Sequence, residues 1–114
     1  MAHRMATRTV AEVVAAKLHA AGVRRVFGLP GGETVELLDA LRRVGIDFVL
    51  VANESSALFM ADAQIRLEGG VGVCLTTLGP GATNAVMGCA HAYLDRAPIL
   101  LITAQKPAAL LPDY

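Results

Sequence analysis

The sequence predicts an α/β fold, a three-layer α/β/α sandwich around a parallel sheet, on three observations. Segments with helical periodicity alternate with strand-type segments along nearly the whole chain. The strand segments are continuous apolar runs, which is typical of parallel strands that are buried on both faces. Glycine-rich turns separate the segments. Because the chain has 114 residues and no repeat or linker, it contains one domain at most.

The first half of the chain contains two predicted helices and two predicted strands. Thr9 can cap the first helix, because Glu12 lies three residues later as in a capping box, and Gly22 ends that helix. A strand at 23–28 follows, and the turn LPGG leads from it into a second helix at 33–44. The second strand is predicted at 46–52.

The second half repeats this alternation and then departs from it. A third helix, a third strand, a fourth helix and a fourth strand are predicted at 54–67, 71–77, 82–94 and 99–104. The sequence after this strand contains two prolines and has no room for another strand–helix unit. We therefore expect a C-terminally incomplete fold, with an N-terminal tail at 1–8, the domain at 9–105, and a tail or the start of a remainder at 106–114.

Composition excludes two classes of partner. Ten Lys and Arg balance ten Asp and Glu, and this zero net charge argues against a nucleic-acid surface. The longest apolar stretches, such as 97–104, are far shorter than the roughly 18 residues of a membrane span. Cys74 and Cys89 have the context of small buried side chains. Since no secretion signal precedes the domain, we expect a cytoplasmic protein.

Candidate binding residues lie in the three strand-to-helix turns, since parallel sheets bind ligands at the carboxyl ends of their strands. These turns are 28–33, 52–55 and 78–84. A dinucleotide site is one alternative, but Pro30 and Glu33 depart from the required glycine pattern. Glu54 follows the second strand directly. On spacing alone, this residue is equally well explained as an acidic side chain that favours a helix N-terminus.

Histidines and aspartates predict no metal site. We place His91 in mid-helix without a metal-ligand partner four residues later. The aspartates fall singly on different predicted segments, at Asp39, Asp47, Asp62, Asp95 and Asp113. Hard cations need clustered oxygen ligands, so we expect no Mg²⁺ site within this chain.

Three segments carry a family resemblance: FGLPGGETVELLDAL, NESSALFMADAQIR and VCLTTLGPGATNAVMGCAHAYLDRAPILLITAQ. Together they resemble the N-terminal pyrimidine-binding (PYR) domain of thiamine-diphosphate (ThDP) enzymes of the acetolactate synthase and 2-oxo-acid decarboxylase family. The resemblance covers almost the whole chain. Its G-P-G-A-T-N segment leans toward the acetolactate synthase branch.

The resemblance implies a role for each turn. Glu54 aligns with the glutamate that hydrogen-bonds N1′ of the cofactor's aminopyrimidine and so activates the cofactor. By the same resemblance, Pro30 and Gly31 wall the pyrimidine, while Pro80 and Asn84 belong to the second cofactor-side loop. The resemblance therefore predicts a cofactor-binding and catalytic role at the carboxyl edge of the sheet.

The same resemblance implies partners. Gln105 matches a glutamine near the active-site cleft, and Mg²⁺ and the diphosphate are bound by a separate domain whose Gly-Asp-Gly motif this chain lacks. That domain lies on the same longer chain or on a second subunit, in a homodimer or tetramer. This chain alone is then inactive. FAD accompanies ThDP in some relatives but is not indicated here.

Two questions stay open at this point. The family pattern His-Glu-Gln is Asn53-Glu54-Ser55 here, which leaves decarboxylase and carboligase activities undecided. An orphan α/β domain with a dimerisation or regulatory role is the non-enzymatic alternative. A nucleotide-binding domain is the third.

Overall fold

The computed structural model describes residues 7–111 as an alternation of helices and strands. The predicted tails at 1–8 and 106–114 lie partly outside these residues. The helices are α1 Val10–Ala20, α2 Val35–Arg43, α3 Glu54–Glu68, α4 Pro80–Asn84 and α5 Val86–Leu94. The strands are β1 Arg25–Leu29, β2 Asp47–Leu50, β3 Gly72–Thr76 and β4 Ile99–Thr103. Single 3₁₀ turns cover Gly32–Thr34 and Ala108–Leu110.

All four strands form one parallel sheet in the order β2-β1-β3-β4. The chain moves outward from β1 to β2 and then crosses back over β1 to β3. This reversal makes the gap between β1 and β3 a topological switch point, where open α/β sheets bind their ligands. The predicted α/β class and parallel sheet are confirmed.

Each face of the sheet carries its own helical layer and its own core. On one face, α1 and α2 cover Val26 of β1 together with Val73 and Leu75 of β3. On the other face, α3 and α5 cover Phe27 and Cys74. Because successive side chains of a strand point to opposite faces, continuous apolar strands supply both cores.

The first helix begins as the sequence predicts. The Thr9 hydroxyl accepts a hydrogen bond from the Glu12 N–H at 3.2 Å, and the Glu12 carboxylate accepts one from the Thr9 N–H at 2.9 Å. This is a complete capping box. It fixes the direction in which α1 crosses the sheet.

One predicted element differs. The sequence predicts one helix over 82–94, whereas the structure has two, α4 and α5, which meet at Ala85. Pro80 takes the first position of α4, which suits proline because that position needs no N–H donor. The helix therefore starts two residues earlier than predicted. None of the helices among the described residues is long and apolar enough to cross a bilayer.

Candidate functional site

The candidate site lies at the carboxyl edge of the sheet, at the switch point. The turns after β1 and β3 face each other there, since these two strands are paired from Phe27 with Cys74 to Leu29 with Thr76. Gly28 makes this pairing possible, because a Cβ atom at this position would collide with the Leu75 carbonyl. The start of α3, which follows β2, completes the site.

Glu54 is the first residue of α3, and its side chain is only 4% exposed. Asn53 caps the helix instead, with its side-chain oxygen accepting the Ser55 N–H at 2.9 Å. Within residues 7–111, no donor forms a hydrogen bond with the Glu54 carboxylate. Its oxygens still touch solvent, since the Thr76 hydroxyl is the one fully buried side-chain polar atom without a partner among the described residues. The structure therefore presents a largely buried acid with free acceptor capacity.

Gly81 lies against this carboxylate. A Cβ atom at Gly81 would stand 3.4 Å from Glu54 Oε1 and 2.6 Å from the Thr77 methyl carbon Cγ2. A side chain here would crowd the acid, so glycine leaves space beside it. The turn after β3 thus approaches Glu54 with backbone.

The turn after β1 is tied to the turn after β3 by Glu33. Its carboxylate accepts a hydrogen bond from the Thr77 hydroxyl and another from the Leu78 N–H at 2.9 Å. These two donors, the Thr77 hydroxyl foremost, hold the pKa of the Glu33 carboxyl below its usual range. A Cβ atom at Gly31 would collide with the Thr77 hydroxyl. The two turns are therefore in direct contact.

Thr76, at the end of β3, contributes an unusual polar group. Its side chain is fully buried, and among the described residues its hydroxyl is the one buried side-chain polar atom without a hydrogen-bond partner. Leaving such a group unpaired costs about 1–3 kcal/mol. It lies on the α3 and α5 side of the sheet, two residues after Cys74.

Ser55 has a structural role. Its hydroxyl donates to the Asn84 carbonyl at 2.5 Å and accepts the Gly88 N–H at 3.1 Å. These bonds join the start of α3 to the end of α4 and the first turn of α5. Ser55 is thus a helix-packing residue.

The structure brings most of the predicted site residues to one edge. Gly31 lies within the contact between the two turns, and Pro30 precedes it. Pro80 and Asn84 begin and end α4, the short helix that carries Gly81. Gln105 is exposed and follows β4, with no hydrogen bond from its side chain among the described residues. Their roles toward a cofactor stay predictions.

Sequence reasoning did not assign Glu33, Thr76, Thr77 or Gly81 to the site. In the sequence, Glu33 serves only as an argument against a dinucleotide pattern. The available signal is that Glu33 and Gly81 lie within two of the candidate turns, 28–33 and 78–84, whereas Thr76 and Thr77 precede the second of these turns. Their contacts depend on the register between β1 and β3, which no local pattern reveals.

One expectation about scattered acids is wrong. The structure joins Asp62 to His91 Nε2 at 2.9 Å and to Arg66 Nε at 3.0 Å, and Arg66 also contacts Asp95 at 2.7 Å. His91 does have a possible ligand four residues later, because Asp95 lies 3.8 Å from its Nε2. Asp113 lies outside the described residues. The Asp62, His91 and Asp95 donor atoms lie within 4.8 Å of one another.

This cluster is an ion-pair network and does not belong to the candidate site. The Arg66 guanidinium forms ion pairs with both aspartates, and the hydrogen bond to His91 is the largest cause of the lowered pKa of Asp62, ahead of that to Arg66. Asp62 lies eight residues along α3 from Glu54, about 12 Å along the helix axis. A cation held at Asp62 would thus be remote from Glu54.

Both cysteines are free, in line with their predicted role as packing residues. Cys74 is fully buried, and burial raises the pKa of its thiol to about 12. The thiolate form is therefore suppressed, which makes Cys74 inert as a nucleophile. Cys89 is half-buried against the same core.

Comparison with known proteins gives a consistent picture. Residues 8–113 match the family model for the thiamine pyrophosphate enzyme N-terminal TPP-binding domain. The chain is 48% identical over 102 residues to the acetolactate synthase isozyme 3 large subunit of Escherichia coli. It is 42% identical over 101 residues to a probable acetolactate synthase large subunit of Methanocaldococcus jannaschii. Each alignment covers 89% of this chain but only 18% and 17% of the respective relative.

Proposed function

Since this chain belongs to the thiamine pyrophosphate enzymes, as their N-terminal TPP-binding domain, we propose that it forms the pyrimidine half of a ThDP-dependent 2-oxo-acid decarboxylase or carboligase. The observation that carries the proposal is Glu54, a residue only 4% exposed at the switch point of the sheet, whose carboxylate has no hydrogen-bond partner within residues 7–111. The sequence similarity to acetolactate synthase large subunits favours carboligase activity over simple decarboxylation.

The residues at the site fit an aminopyrimidine ring. Gly31 and Gly81 let the two facing turns pack closely, since a Cβ atom at either position would meet the Thr77 side chain. Glu54 offers an acceptor that no protein donor uses. The unpaired hydroxyl of Thr76 is a second buried polar group at the same edge of the sheet. Together they supply the polar groups and the narrow walls that a heteroaromatic ring requires.

Glu54 is then the residue that handles the proton. When bound, ThDP supplies the acidic thiazolium carbon that adds to the carbonyl of a 2-oxo acid. The Glu54 carboxyl would share a proton with N1′ of the pyrimidine, which requires close approach and no competing donor. The turns that carry Gly31 and Gly81 would hold the ring beside Glu54. The apolar side chains beneath, such as Val51 and Phe27, exclude water from this end of the sheet.

We propose that the other half of the active site lies on a separate diphosphate-binding domain. The Asp62, His91 and Asp95 cluster is remote from Glu54 and engaged in ion pairs with Arg66, so among the described residues it does not provide a Mg²⁺ site beside Glu54. Mg²⁺ and the diphosphate would be held by the other domain, in a dimer or tetramer, and FAD stays an option that no observation favours. The free cysteines support a cytoplasmic protein.

A Glu54→Gln variant of the full-length enzyme tests the proposal. The amide cannot take up the proton, so turnover of a 2-oxo acid such as pyruvate should fall about 100-fold or more. Glu36→Gln, an exposed change on α2, is the matched control and should leave turnover unchanged. Turnover of Glu54→Gln equal to that of the wild type would overturn the assignment. Failure of the wild type to bind ThDP would favour a non-catalytic domain.

A further inference from the structure

A chain of hydrogen bonds crosses the carboxyl edge of the sheet beside the proposed pyrimidine slot. The Thr103 hydroxyl of β4 donates to the Thr77 carbonyl at 3.2 Å. The Thr77 hydroxyl donates in turn to Glu33, which also accepts the Leu78 N–H at 2.9 Å. Thr77 is thus held by its backbone on one side and by its side chain on the other.

This arrangement fixes which side of Thr77 faces Glu54. The methyl carbon Cγ2 and Glu54 Oε1 both lie within 3.4 Å of the point where a Cβ atom of Gly81 would stand. The Thr77 hydroxyl faces the turn after β1, where it lies against the Cβ position of Gly31 and beside the Glu33 carboxylate. Thr77 therefore turns its apolar methyl toward the buried acid and its donor away from it.

Rotation about the Cα–Cβ bond of Thr77 by about 120° would carry the hydroxyl to the place of the methyl, and the methyl to the place of the Cβ hydrogen. The hydroxyl would then face Gly81 and could donate to Glu54, and a hydrogen bond to a charged acceptor is favourable. We propose that Glu33 is a positioning residue that prevents this rotation, so that the Glu54 carboxylate stays free for the pyrimidine ring. This inference rests on the proposed function, because it assigns Glu33 a role toward the same ring.

The test compares ThDP affinity among variants of the full-length protein by isothermal titration calorimetry at saturating Mg²⁺. Glu33→Ala releases the Thr77 hydroxyl and should weaken ThDP binding roughly tenfold, the factor that one hydrogen bond to a charged group supplies. Thr77→Val carries no hydroxyl, so the double variant Glu33→Ala/Thr77→Val should bind within about twofold of Thr77→Val alone. Glu36→Ala, another exposed glutamate, is the matched control and should match the wild type.

Two results would overturn the inference while leaving the proposed function intact. One is Glu33→Ala binding ThDP within about twofold of the wild type. The other is a double variant as weak as Glu33→Ala, since Glu33 would then only brace the two turns. A wild-type protein that binds no ThDP would overturn the proposed function, and this inference with it. The near-UV circular dichroism of the bound aminopyrimidine supplies a second readout, which only a changed ring environment moves.

Discussion

At the residue scale, two neighbouring side chains at the start of α3 have different tasks. Glu54 is buried and makes no hydrogen bond within the described residues, whereas Ser55 uses its hydroxyl twice. Asn53 caps α3, so the Glu54 side chain is not used for capping. Capping and helix packing thus fall to Asn53 and Ser55, which leaves Glu54 free for the proposed contact with the cofactor.

Ser55 should matter for stability. Ser55→Ala leaves the Asn84 carbonyl and the Gly88 N–H without a partner, which should lower the free energy of unfolding by about 1–3 kcal/mol. Urea denaturation measures this difference. Ser56→Ala is the matched control, since Ser56 is exposed and should change stability by less than about 0.5 kcal/mol. Equal stability of the two variants would contradict the structural role of Ser55.

Residues of the site differ in how well the sequence predicts them. The position of Glu54 soon after a strand is a local pattern, but its assignment to a cofactor comes from the family resemblance and stays a prediction. The contact of Glu33 with Thr77 could not be predicted, since these residues are 44 positions apart in the chain and meet only through the pairing of β1 with β3. Likewise, Gly81 comes close to Glu54 only when β1 is paired with both β2 and β3.

At the element scale, the contact between α3 and α5 depends on a glycine. A Cβ atom at Gly88 would stand 2.7 Å from Leu58 Cβ and 3.1 Å from the Ser55 carbonyl oxygen. Both helices lie on the face that carries Phe27 and Cys74. Their close approach therefore helps to fix where α3 places Glu54.

Gly88→Ala should push these helices apart. Overpacking of this kind typically costs about 1–3 kcal/mol, and the loss should appear as a lower midpoint in urea denaturation. Gly32→Ala is the matched control, because a Cβ atom there would meet nothing within 4 Å. That change should leave stability the same or raise it by up to about 1 kcal/mol. A Gly88→Ala variant as stable as the wild type would contradict tight packing between α3 and α5.

The Asp62 network links the same two helices and should respond to pH. Hydrogen bonds to His91 and Arg66 lower the pKa of Asp62, so its contribution to stability is present at neutral pH and is lost as pH falls through that lowered pKa. Asp62→Asn should therefore melt below the wild type at pH 7. The gap should shrink as pH drops below about 3.9, the ordinary Asp value.

Thermal melts from pH 3 to pH 7 measure this dependence. The exposed Asp47→Asn is the control and should follow the wild type throughout. A gap between Asp62→Asn and the wild type that stays constant with pH would contradict an electrostatic role for Asp62.

Element types were predictable and some contacts between elements were not. Hydrophobic period and glycine breaks identify every strand, because these signals are local. The break at Ala85 between α4 and α5 was missed, since the sequence 82–94 has no residue that forbids a continuous helix. The Asp62 network was also missed, because it joins α3 to α5 across their packed faces.

At the scale of the whole molecule, the strand order places the site. The order β2-β1-β3-β4 brings the turns after β1 and β3 to the switch point and lets α3 return Glu54 to it. The parallel class could be predicted from apolar strands, but the order of strands was not assigned from sequence. The chain spans less than a fifth of the acetolactate synthase large subunits that it resembles.

We expect the isolated 114-residue chain to be inactive. In the proposed function Glu54 contacts only one end of the cofactor, and the candidate metal cluster among the described residues is remote from it. With ThDP, Mg²⁺ and pyruvate, the isolated chain should release no carbon dioxide above background, whereas the full-length enzyme should. Turnover by the isolated chain would mean that these residues complete an active site without a second domain.

The most direct test of the account is the state of the pyrimidine nitrogen itself. Full-length wild-type protein and Glu54→Gln would each be loaded with ¹⁵N-labelled ThDP, and the chemical shift of N1′ recorded by nuclear magnetic resonance. The account predicts a hydrogen-bonded or protonated N1′ in the wild type and a shift close to that of free ThDP in Glu54→Gln. The same N1′ shift in both proteins would contradict the role assigned to Glu54.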